Sequence, residues 1–357
     1  MATQIQRGFS RSGLDSDELR RLILGNEVLF KPLSGGSILI TGATGWFGLW
    51  LLDALCVADD ALELGIKISA MSRDPGRFLE KFAGFRGDPR IRWITMDVRG
   101  LQPDDSGYTH VIHGAADTSV DSTPVAQLQL FETILDGTRR VIAAAGSQCK
   151  SLLLLSSGAV YGPACPGQSG FSETECGGPD PSLARSAYAE GKRGAELLGA
   201  IAATMGVPIR IARCFAFVGP HMPFDRHFAI GNFIADAVHG RPIRIKSDGR
   251  PQRSYLYMTD LMRALLSILV AGAVGKPYNV GSESAISIAE LANCVDRVVG
   301  GRGVVVEGAV SASSDRYVPD TGRLRADLGF IPEVSLETAI ARTAAWYRAS
   351  IAESVAS

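Results

Sequence analysis

The sequence predicts a doubly wound α/β fold, in which a parallel sheet carries helices on both faces. Short runs rich in leucine and β-branched residues alternate with stretches long enough for crossover helices through the first two thirds of the chain. These runs are nearly continuous in apolar residues, which is typical of strands that are covered on both faces. The predicted strands are 37–41, 66–71, 91–95, 110–113, 151–156 and 208–213.

The overall charge and hydropathy exclude several classes of protein. The 357 residues include 36 Lys and Arg against 37 Asp and Glu, a formal net charge of −1. This balance provides no basic footprint, so no nucleic-acid partner is predicted. The longest apolar stretch, 264–275, is shorter than the ~20 residues of a spanning helix, and no membrane partner is predicted. Because residues 1–21 contain no apolar signal core, we expect a cytoplasmic protein.

The spacing of cysteine and histidine gives no support to a metal site. The six cysteines form no CxxC pair, and the five histidines form no HxH or HExxH arrangement. We therefore predict that the protein holds no metal ion.

Three regions follow one another along the chain. Residues 1–36 form an extension in which Asp15 or Ser16 is expected to cap a short helix. Residues 37–216 contain the predicted sheet. Residues 217–357 contain loops punctuated by Gly and Pro, a short strand near 278–280, and a helix opened by the capping box of Ser287 and Glu290. This last region is expected to form mainly a second, smaller lobe that is partly interleaved with the sheet domain.

A glycine-rich turn follows the first predicted strand. The sequence TGATGWFG leads directly into an apolar helix. Backbone N–H groups and the helix dipole at such a turn form an anion site, and glycine leaves room for a pyrophosphate to approach the backbone. This pattern predicts a Rossmann-type dinucleotide-binding domain. The predicted contacts in the turn are Gly42, Gly45, Trp46, Phe47 and Gly48.

The ends of the next three strands supply candidate contacts to the rest of the dinucleotide. Arg73 follows the second strand, where an arginine suits the 2′-phosphate of NADP better than the ribose of NAD. The prediction is NAD or NADP, with NADP favoured by Arg73. Asp97 follows the third strand and is expected to accept a hydrogen bond from the adenine amino group. The full set outside the glycine turn is Ser72, Arg73, Asp97, Val98, Ala115 and Ala116.

A tyrosine and a lysine four residues apart follow the fifth strand. On a helix, Tyr188 and Lys192 share one face, so that the ammonium stabilises a phenolate. Such a tyrosine takes the proton from a sugar hydroxyl as hydride leaves the same carbon. Ser157, at the end of the fifth strand, is expected to hydrogen-bond to the same oxygen. These are the three predicted catalytic residues, and Tyr188 and Lys192 are also expected to contact the dinucleotide.

Several short segments occur in order along the chain: TGATGWFG, MDV, HGAAD, SSGAVYG, YAEGK, RCFAFVGP, GRPQRSYLYMTDL and YNVGS. Together they resemble the extended short-chain dehydrogenase/reductases and, more narrowly, the nucleotide-sugar epimerase/dehydratase branch. The resemblance covers about residues 37–345. It implies a tightly held nicotinamide cofactor and a nucleoside-diphosphate sugar in the cleft between the sheet domain and a substrate-binding lobe.

The resemblance also implies substrate contacts. Arg253, in GRPQRSYLY, matches the arginine that grips the substrate diphosphate, and its fork of donors suits phosphate oxygens. Arg316, in DRYVPD, is a second diphosphate candidate, and Asn232 is expected to meet the nucleotide portion. Ser157 and Thr118 complete the substrate-binding set, with Thr118 lying in the segment AADTSVD.

A homodimer is a further implication of the resemblance. The helix after Pro124 and the helix of Tyr188 are expected to pair with their copies as a four-helix bundle. The segment 183–206 is more apolar than one helix face packed on a sheet requires, which supports this expectation.

The sequence departs from the family at several places. The best-known 4,6-dehydratases place an Asp-Glu pair directly after the catalytic Thr, but Gly158 and Ala159 stand there in this chain, so elimination of water lacks its proton donor and acceptor. The Asn that commonly follows Phe215 is Ala216, and the usual Asn in the helix before Gly137 is missing. The segment AADTSVD nevertheless resembles that of the dehydratases, so dehydration stays open.

The predicted function is oxidation of carbon 4 of a nucleotide-activated sugar by hydride transfer, with 4-epimerisation as the leading net reaction. The alternatives are 4,6-dehydration, decarboxylation of a uronic acid and one-way reduction of a keto sugar. A non-catalytic dinucleotide-binding regulator is the alternative from a different class. The presence of all three catalytic residue types argues against such a regulator, because a sensor needs none of them.

Overall fold

The computed structural model describes residues 10–103, 107–116, 123–165, 167–224, 228–309 and 315–356. In chain order the strands are β1 (Ser37–Thr41), β2 (Lys67–Ser72), β3 (Ile91–Thr95), β4 (His110–His113), β5 (Ser151–Ser157), β6 (Ile209–Cys214), β7 (Phe217–Val218), β8 (Ile243–Ile245), β9 (Gln252–Arg253), β10 (Leu256–Tyr257), β11 (Pro277–Val280), β12 (Ile286–Ser287), β13 (Val304–Val306) and β14 (Arg316–Tyr317). The helices are α1 (Ser16–Ile23), α2 (Glu27–Phe30), α3 (Trp46–Leu62), α4 (Pro75–Lys81), α5 (Pro124–Ala144), α6 (Ala187–Thr204), α7 (Ala229–Val238), α8 (Met258–Ala271), α9 (Ile288–Val299), α10 (Gly322–Leu328) and α11 (Leu336–Ala356). Within these ranges, no helix is both long enough and apolar enough to cross a membrane.

Seven strands form one parallel sheet in the order β11-β6-β5-β4-β1-β2-β3. The six strands predicted from the sequence are β1 to β6, and none of their bounds differs from the prediction by more than one residue. Every residue of β5 is buried, as expected for a strand covered on both faces. The predicted doubly wound α/β fold is confirmed.

The winding of the sheet reverses at β1, which lies between β2 and β4. Loops that leave neighbouring strands in opposite directions open a crevice at their carboxyl ends, and α/β sheets bind ligands there. The ends of β1, β4 and β5, together with the starts of α3 and α6, therefore mark the position of the site.

The chain after residue 217 contributes to the main sheet and to three small ones. The predicted strand near 278–280 is β11, which pairs in parallel with β6 at the edge of the main sheet. The remaining strands form the pairs β10-β7 and β13-β8 and the three-stranded sheet β12-β9-β14. The helices α7, α9 and α11 pack together around a second hydrophobic cluster. The predicted capping box of Ser287 and Glu290 opens α9.

The N-terminal extension docks on the outside of the sheet domain. Asp15 caps α1, as predicted, and the apolar face of this helix packs against α3 and α8. The Glu18 carboxylate accepts hydrogen bonds from the Tyr257 hydroxyl at 2.9 Å and from Arg342 Nη1 at 2.7 Å. The extension therefore links α1 to residues that come after position 217.

Candidate active site

The turn between β1 and α3 forms a cradle that side chains would fill. Gly42 has φ of 73°, and a Cβ at this position would lie 2.9 Å from the backbone of Gly114. A Cβ on Gly48 would overlap the carbonyl oxygen of Gly42. Gly45 is the N-cap of α3, and no side chain caps this helix, so backbone N–H groups of the first turn point outward. The cradle fits the pyrophosphate of a dinucleotide.

Trp46 and Phe47 direct their side chains toward the second lobe. The Trp46 Nε1–H donates a hydrogen bond to the carbonyl of Pro220 at 2.8 Å. The Phe47 ring meets Phe217 edge-on, with 5.2 Å between the ring centroids. The predicted contribution of both residues to the dinucleotide is therefore assigned to their backbone N–H groups at the start of α3.

The adenosine side of the cleft carries charge of both signs. Ser72 Oγ lies 2.7 Å from Thr44 Oγ1, and exposed Arg73 follows it directly. Asp97 accepts hydrogen bonds from the backbone N–H and the Nε–H of Arg99, each at 2.9 Å. These bonds and the guanidinium charge lower the pKa of Asp97, and Arg73 contributes in the same direction. Asp97 is thus an ionised acceptor with Arg73 close by.

Three small or apolar residues line the sheet edge between these groups. Val98 is buried, and Ala115 and Ala116 are partly buried. The Ala115 N–H donates a hydrogen bond to Thr41 Oγ1 at 3.3 Å, which fixes the backbone just after β4. Val98, Ala115 and Ala116 therefore stay predicted contacts to the dinucleotide.

The three predicted catalytic side chains meet where β5 ends and α6 begins. Ser157 is the last residue of β5, and Tyr188 and Lys192 lie one turn apart on α6. Lys192 Nζ lies 5.9 Å from the centroid of the Tyr188 ring and donates a hydrogen bond to the carbonyl of Leu155 at 2.7 Å. The Ser157 side chain lies close enough to the Tyr188 hydroxyl to act as a hydrogen-bond partner that lowers the pKa of that phenol. The structure therefore brings the serine, phenol and ammonium together beside the dinucleotide cradle.

Burial acts on both ionisable members of this trio. It raises the pKa of Tyr188 to about 12, against the opposing effect of the hydrogen bond with Ser157. It also lowers the pKa of Lys192 to about 8. The expectation that Lys192 leaves the phenol with a lowered pKa is wrong for the protein alone, because the enclosed site penalises both charges. In the protein alone, burial therefore outweighs the effect of Ser157 on the pKa of Tyr188.

The two candidate diphosphate ligands lie on neighbouring strands. β14 pairs in parallel with β9, which places Arg316 and Arg253 in one small sheet. Both side chains are partly buried and have partners within the chain. Arg253 Nη2 lies 2.7 Å from the carboxylate of Asp315, and Arg316 Nε donates to the carbonyl of Ser169 at 2.7 Å. The register pairs Arg316 with Gln252 and Tyr317 with Arg253, so the side chains of Arg316 and Arg253 point to opposite faces of this small sheet. The structure therefore places the two predicted diphosphate ligands in one sheet but does not bring their guanidinium groups together.

The other two predicted substrate residues are not part of this group. Asn232 lies on α7, which packs against α9 and α11, and its side chain is partly buried. Thr118, with most of the segment AADTSVD, lies outside the described residues.

Sequence reasoning missed Tyr317, which reaches the catalytic serine from the opposite wall. Its hydroxyl lies 3.5 Å from Ser157 Oγ and 3.5 Å from the carbonyl oxygen of Cys214. Its ring packs on Phe215 at 4.7 Å between centroids. The available signal was its place beside Arg316 in DRYVPD, and an aromatic residue in a short strand gives little other indication of a site.

The residue after the catalytic serine has no room for a side chain. A Cβ on Gly158 would lie 2.7 Å from ring carbons of Phe215 and 2.8 Å from the hydroxyl oxygen of Tyr317. Ala159 follows, and its N–H donates to Ser157 Oγ at 3.2 Å. Neither position supplies an acid or a base, and the packing explains why position 158 is glycine.

Comparison with known proteins identifies the family. The model of the NAD dependent epimerase/dehydratase family matches residues 38–281. The chain belongs to this family. It is therefore an NAD-dependent enzyme of the epimerase/dehydratase type, and its fold and glycine turn are those that the sequence predicts.

Individual relatives differ in the reaction that their names give. The chain is 29% identical over 314 residues to UDP-glucuronic acid decarboxylase 1 of Arabidopsis thaliana, covering 87% of this chain and 69% of that protein. It is 27% identical over 322 residues to a dTDP-glucose 4,6-dehydratase of Streptomyces griseus, covering 87% and 93%. A UDP-glucuronic acid 4-epimerase from Bacillus cereus, solved with UDP-glucuronic acid and NAD, has the same fold with a TM-score of 0.73 at 20% identity, covering 88% and 99%.

Proposed function

We propose that this enzyme oxidises carbon 4 of a nucleoside-diphosphate sugar and that its net reaction is 4-epimerisation. The observation that carries this proposal is the meeting of Ser157, Tyr188 and Lys192 beside the glycine cradle, with no further acid or base at positions 158 and 159. An epimerase that works through a 4-keto sugar needs no other proton donor or acceptor.

Each member of the trio has one role in the oxidation. Tyr188, as the phenolate, takes the proton of the carbon 4 hydroxyl. Ser157 hydrogen-bonds to the same oxygen and orients it. Lys192 stabilises the phenolate with its ammonium, which is held in place by the carbonyl of Leu155. A nicotinamide dinucleotide held by the glycine turn and Lys192 would supply the hydride acceptor for the oxidation and the hydride donor for the return step.

The return step decides the net reaction. If the keto sugar rotates in the site before it is reduced, the opposite face of carbon 4 receives the hydride and the configuration at carbon 4 is inverted. Tyr188 then gives its proton back to the same oxygen. This sequence uses the same three side chains in both directions, and it leaves the oxidation state of the cofactor unchanged.

Dehydration fits this site less well. Elimination of water from carbons 5 and 6 needs one group to remove a proton and another to protonate the departing hydroxyl. The close approach of Phe215 and Tyr317 to Gly158 prevents any side chain there from taking such a role. The site therefore favours reactions that need only the oxidation at carbon 4.

Decarboxylation is the second candidate, and the names of the relatives favour it. UDP-glucuronic acid decarboxylases match this chain at 29% identity. A 4-keto uronic acid is a β-keto acid: its bond between carbons 5 and 6 breaks, carbon dioxide leaves, and the remaining enolate takes a proton from water on carbon 5 before the hydride returns to carbon 4. The same three residues would then serve both candidates, and the loss or retention of carbon 6 in the product separates them.

We assign the substrate's diphosphate to Arg253, which shares a face of the small sheet with Tyr317 and now contacts the Asp315 carboxylate. Arg316 stays a second proposed contact, with its guanidinium on the opposite face of the sheet and donating to the carbonyl of Ser169. A diphosphate offers the same kind of acceptor with more charge, so it competes for these donors. Asn232 and Thr118 stay proposed contacts to the rest of the substrate.

Arg73 supports a preference for NADP within the NAD-dependent family. It is exposed at the end of β2, where a ribose 2′-phosphate would lie. The proximity of ionised Asp97 tempers this positive charge.

A homodimer through α5 and α6 completes the proposal. These helices pack side by side and expose Val125, Leu128, Leu197 and Ile201, each at least half exposed. A cluster of apolar side chains of this kind is typical of an interface. Sedimentation at micromolar concentration tests it, and a monomer would contradict it.

The experiment that tests the function is a panel of nucleotide sugars incubated with the purified enzyme and NAD or NADP and followed by NMR. The panel contains neutral hexoses, N-acetylhexosamines and a uronic acid on uridine and thymidine diphosphates. Inversion at carbon 4 supports epimerisation, whereas formation of a pentose from the uronic acid supports the second candidate. A 4-keto-6-deoxy product would contradict the argument from Gly158.

A further inference from the structure

A second phenol lies at the proposed reaction centre. Tyr317, in β14, places its hydroxyl 3.5 Å from Ser157 Oγ, and the Ser157 side chain also lies close enough to the Tyr188 hydroxyl to act on the pKa of that phenol. Ser157 therefore lies between two tyrosines that come from opposite sides of the cleft. One belongs to α6, and the other belongs to the small sheet that carries Arg253 and Arg316.

The number of hydrogen bonds that Ser157 can donate and accept decides which groups are donors in this arrangement. A serine hydroxyl has one proton to donate and two lone pairs that accept. The Ala159 N–H already donates to Ser157 Oγ at 3.2 Å. If the Tyr317 hydroxyl donates to the second lone pair, the serine's own proton is left for the oxygen of Tyr188.

Tyr317 stays protonated under the conditions in which Tyr188 ionises. Burial raises the pKa of Tyr317, and a negative charge on Tyr188 raises it further. The carbonyl of Cys214, also 3.5 Å from the Tyr317 hydroxyl, is an alternative acceptor for its proton. The Tyr317 hydroxyl thus has two possible acceptors, Ser157 Oγ and the carbonyl of Cys214. A negative charge on Tyr188 favours donation to Ser157 Oγ, because the serine proton can then point toward that charge.

We propose that Tyr317 is a positioning residue for the reaction: in the enzyme without bound sugar, its hydroxyl donates to Ser157 Oγ and so directs the serine proton onto the phenolate oxygen of Tyr188, and the serine proton turns to the sugar oxygen once the sugar binds. The inference rests on the proposed function, in which Tyr188 is the base. No proton is transferred to or from Tyr317 at any step. The hydrogen-bonded chain runs from Tyr317 to Ser157 to Tyr188, and it stabilises the ionised form of the base.

The surroundings hold Tyr317 in this position. Its ring packs on Phe215 at 4.7 Å between centroids, and the guanidinium carbon of Arg253 lies 6.0 Å from the ring centroid. The Tyr317 oxygen also lies 2.8 Å from where a Cβ of residue 158 would be. The absence of a side chain at Gly158 therefore leaves the space that the Tyr317 hydroxyl occupies. The position of this hydroxyl thus depends on both residues, although they are far apart in sequence.

The test measures the pKa of Tyr188 directly, without any sugar substrate. Holoenzyme loaded with the oxidised dinucleotide is labelled with ¹³Cζ-tyrosine and titrated by NMR, and Tyr188→Phe identifies the Tyr188 resonance by its loss. In Tyr317→Phe the ring that packs on Phe215 is kept and the donor is removed. We expect the pKa of Tyr188 to rise by about half a unit to one unit, the share of one hydrogen bond.

Tyr278→Phe is the matched control. Tyr278 is a buried phenol of β11 whose hydroxyl hydrogen-bonds to Ala273 and Asp327. Its removal should leave the pKa of Tyr188 unchanged. An equal change in both variants, or no change in Tyr317→Phe, would overturn the role of Tyr317.

A second arm tests whether Tyr317 acts through the serine. In a Ser157→Ala background, Tyr317→Phe should no longer change the pKa of Tyr188, because the connecting hydroxyl is gone. A change that persists in this background would overturn the proposed chain of hydrogen bonds. If Tyr317→Phe does not fold, Gly158→Ala replaces it in both arms, since its Cβ displaces the same phenol.

The proposed function and this inference fail in different experiments. The panel of nucleotide sugars decides the reaction, whereas the titration needs only the cofactor. With an active substrate, the acidic limb of the kcat/KM profile, which reports the enzyme without bound sugar, should move to higher pH by the same amount in Tyr317→Phe. A lower kcat with an unchanged pH profile would contradict the positioning role.

Discussion

The cofactor side and the sugar side of the cleft are built in different ways. On the cofactor side, the glycine turn, Ser157 and Lys192 are fixed by five- to seven-residue strands of the central sheet and by the long helices that follow them. On the sugar side, Arg253, Arg316 and Tyr317 come from two-residue strands in a small sheet. The first region is a rigid frame, and the second is held by side-chain contacts.

This difference separates what the family shares from what each member does. The frame positions the hydride-transfer chemistry, which needs the same atoms for any sugar. The small sheet positions the groups that contact the substrate, and short strands tolerate changes of side chain more easily. Changes on the cofactor side should therefore reduce turnover, and changes on the sugar side should mainly alter affinity or the pKa of the base.

The largest loss is expected from Lys192→Met. The ammonium is buried, donates to Leu155 and lies beside the Tyr188 ring, so its removal deprives the phenolate of its nearest positive charge. We expect turnover to fall by more than about 10⁴-fold and the dinucleotide to bind more weakly. Steady-state kinetics and fluorescence titration with the cofactor measure both effects. A variant that kept cofactor affinity and most of its turnover would remove Lys192 from the mechanism.

Lys192→Met should also change how the free energy of unfolding depends on pH. Burial lowers the pKa of Lys192 to about 8 in the folded protein, below the ordinary lysine pKa of about 10.5, so the unfolded chain binds more protons between these values. Deprotonation of Lys192 should therefore increase the free energy of unfolding of the wild type as the pH rises from about 8 to about 10.5. Lys192→Met should lack that increase, which urea unfolding of both proteins at about pH 7 and about pH 9.5 will compare.

Tyr188→Phe should cost about 10²–10⁴-fold in turnover, the usual share of general base catalysis. Because one hydroxyl is removed from an apolar ring, the fold and the cofactor affinity should be kept. The wild-type rate should fall toward acid pH as the phenolate is protonated, and this acidic limb should be absent from the variant. A variant with an unchanged rate and pH profile would move the base elsewhere.

Arg253→Ala should act on affinity. Charge-assisted hydrogen bonds to a diphosphate contribute roughly 1.5–3 kcal/mol, so KM should rise about 10- to 100-fold while kcat changes little. Arg250→Ala is a matched control, because Arg250 is an exposed arginine three residues away that pairs with Asp248. A loss confined to kcat would place Arg253 in the reacting centre and would weaken the contrast between the two regions.

Gly158→Ala tests the boundary between the two regions. Its Cβ would lie 2.7 Å from Phe215, so overpacking should lower the free energy of unfolding by about 1–3 kcal/mol. Gly76→Ala is the control, because the nearest atom to a Cβ there is 3.4 Å away. Urea unfolding measures both variants. Equal stability of the two would show that the side chains of Phe215 and Tyr317 can move to accommodate the added methyl group at little cost.

The smallest effect is expected on cofactor affinity, from a change beside the proposed position of the adenosine ribose. Arg73→Ala should weaken NADP by about 5- to 10-fold and leave NAD unchanged, since an exposed ion pair with a phosphate contributes on the order of 1 kcal/mol. Arg77→Ala, on the following helix α4, is the control. Equal loss for both cofactors would show that Arg73 does not read the 2′-phosphate.

The frame was predictable from the sequence because its elements have strong local signals. Buried strands appear as apolar runs, the turn of Gly42 and Gly48 needs glycine for steric reasons, and a spacing of four on α6 places Tyr188 and Lys192 on one face. The contact of Tyr317 with Ser157 was not predictable, because it depends on the pairing of two-residue strands distant in sequence. The raised pKa of Tyr188 was missed for a related reason, since burial depends on tertiary packing.

The most direct test of the central claim is the fate of the hydrogen on carbon 4. A sugar nucleotide that the enzyme converts is prepared with deuterium at carbon 4 and is turned over in ordinary water, and the product is examined by NMR. Our account predicts that the deuterium is retained at carbon 4, because it passes to the nicotinamide and returns without exchange, and that the deuterated substrate reacts more slowly when hydride transfer is rate-limiting. Loss of the deuterium to water would contradict oxidation at carbon 4 by hydride transfer.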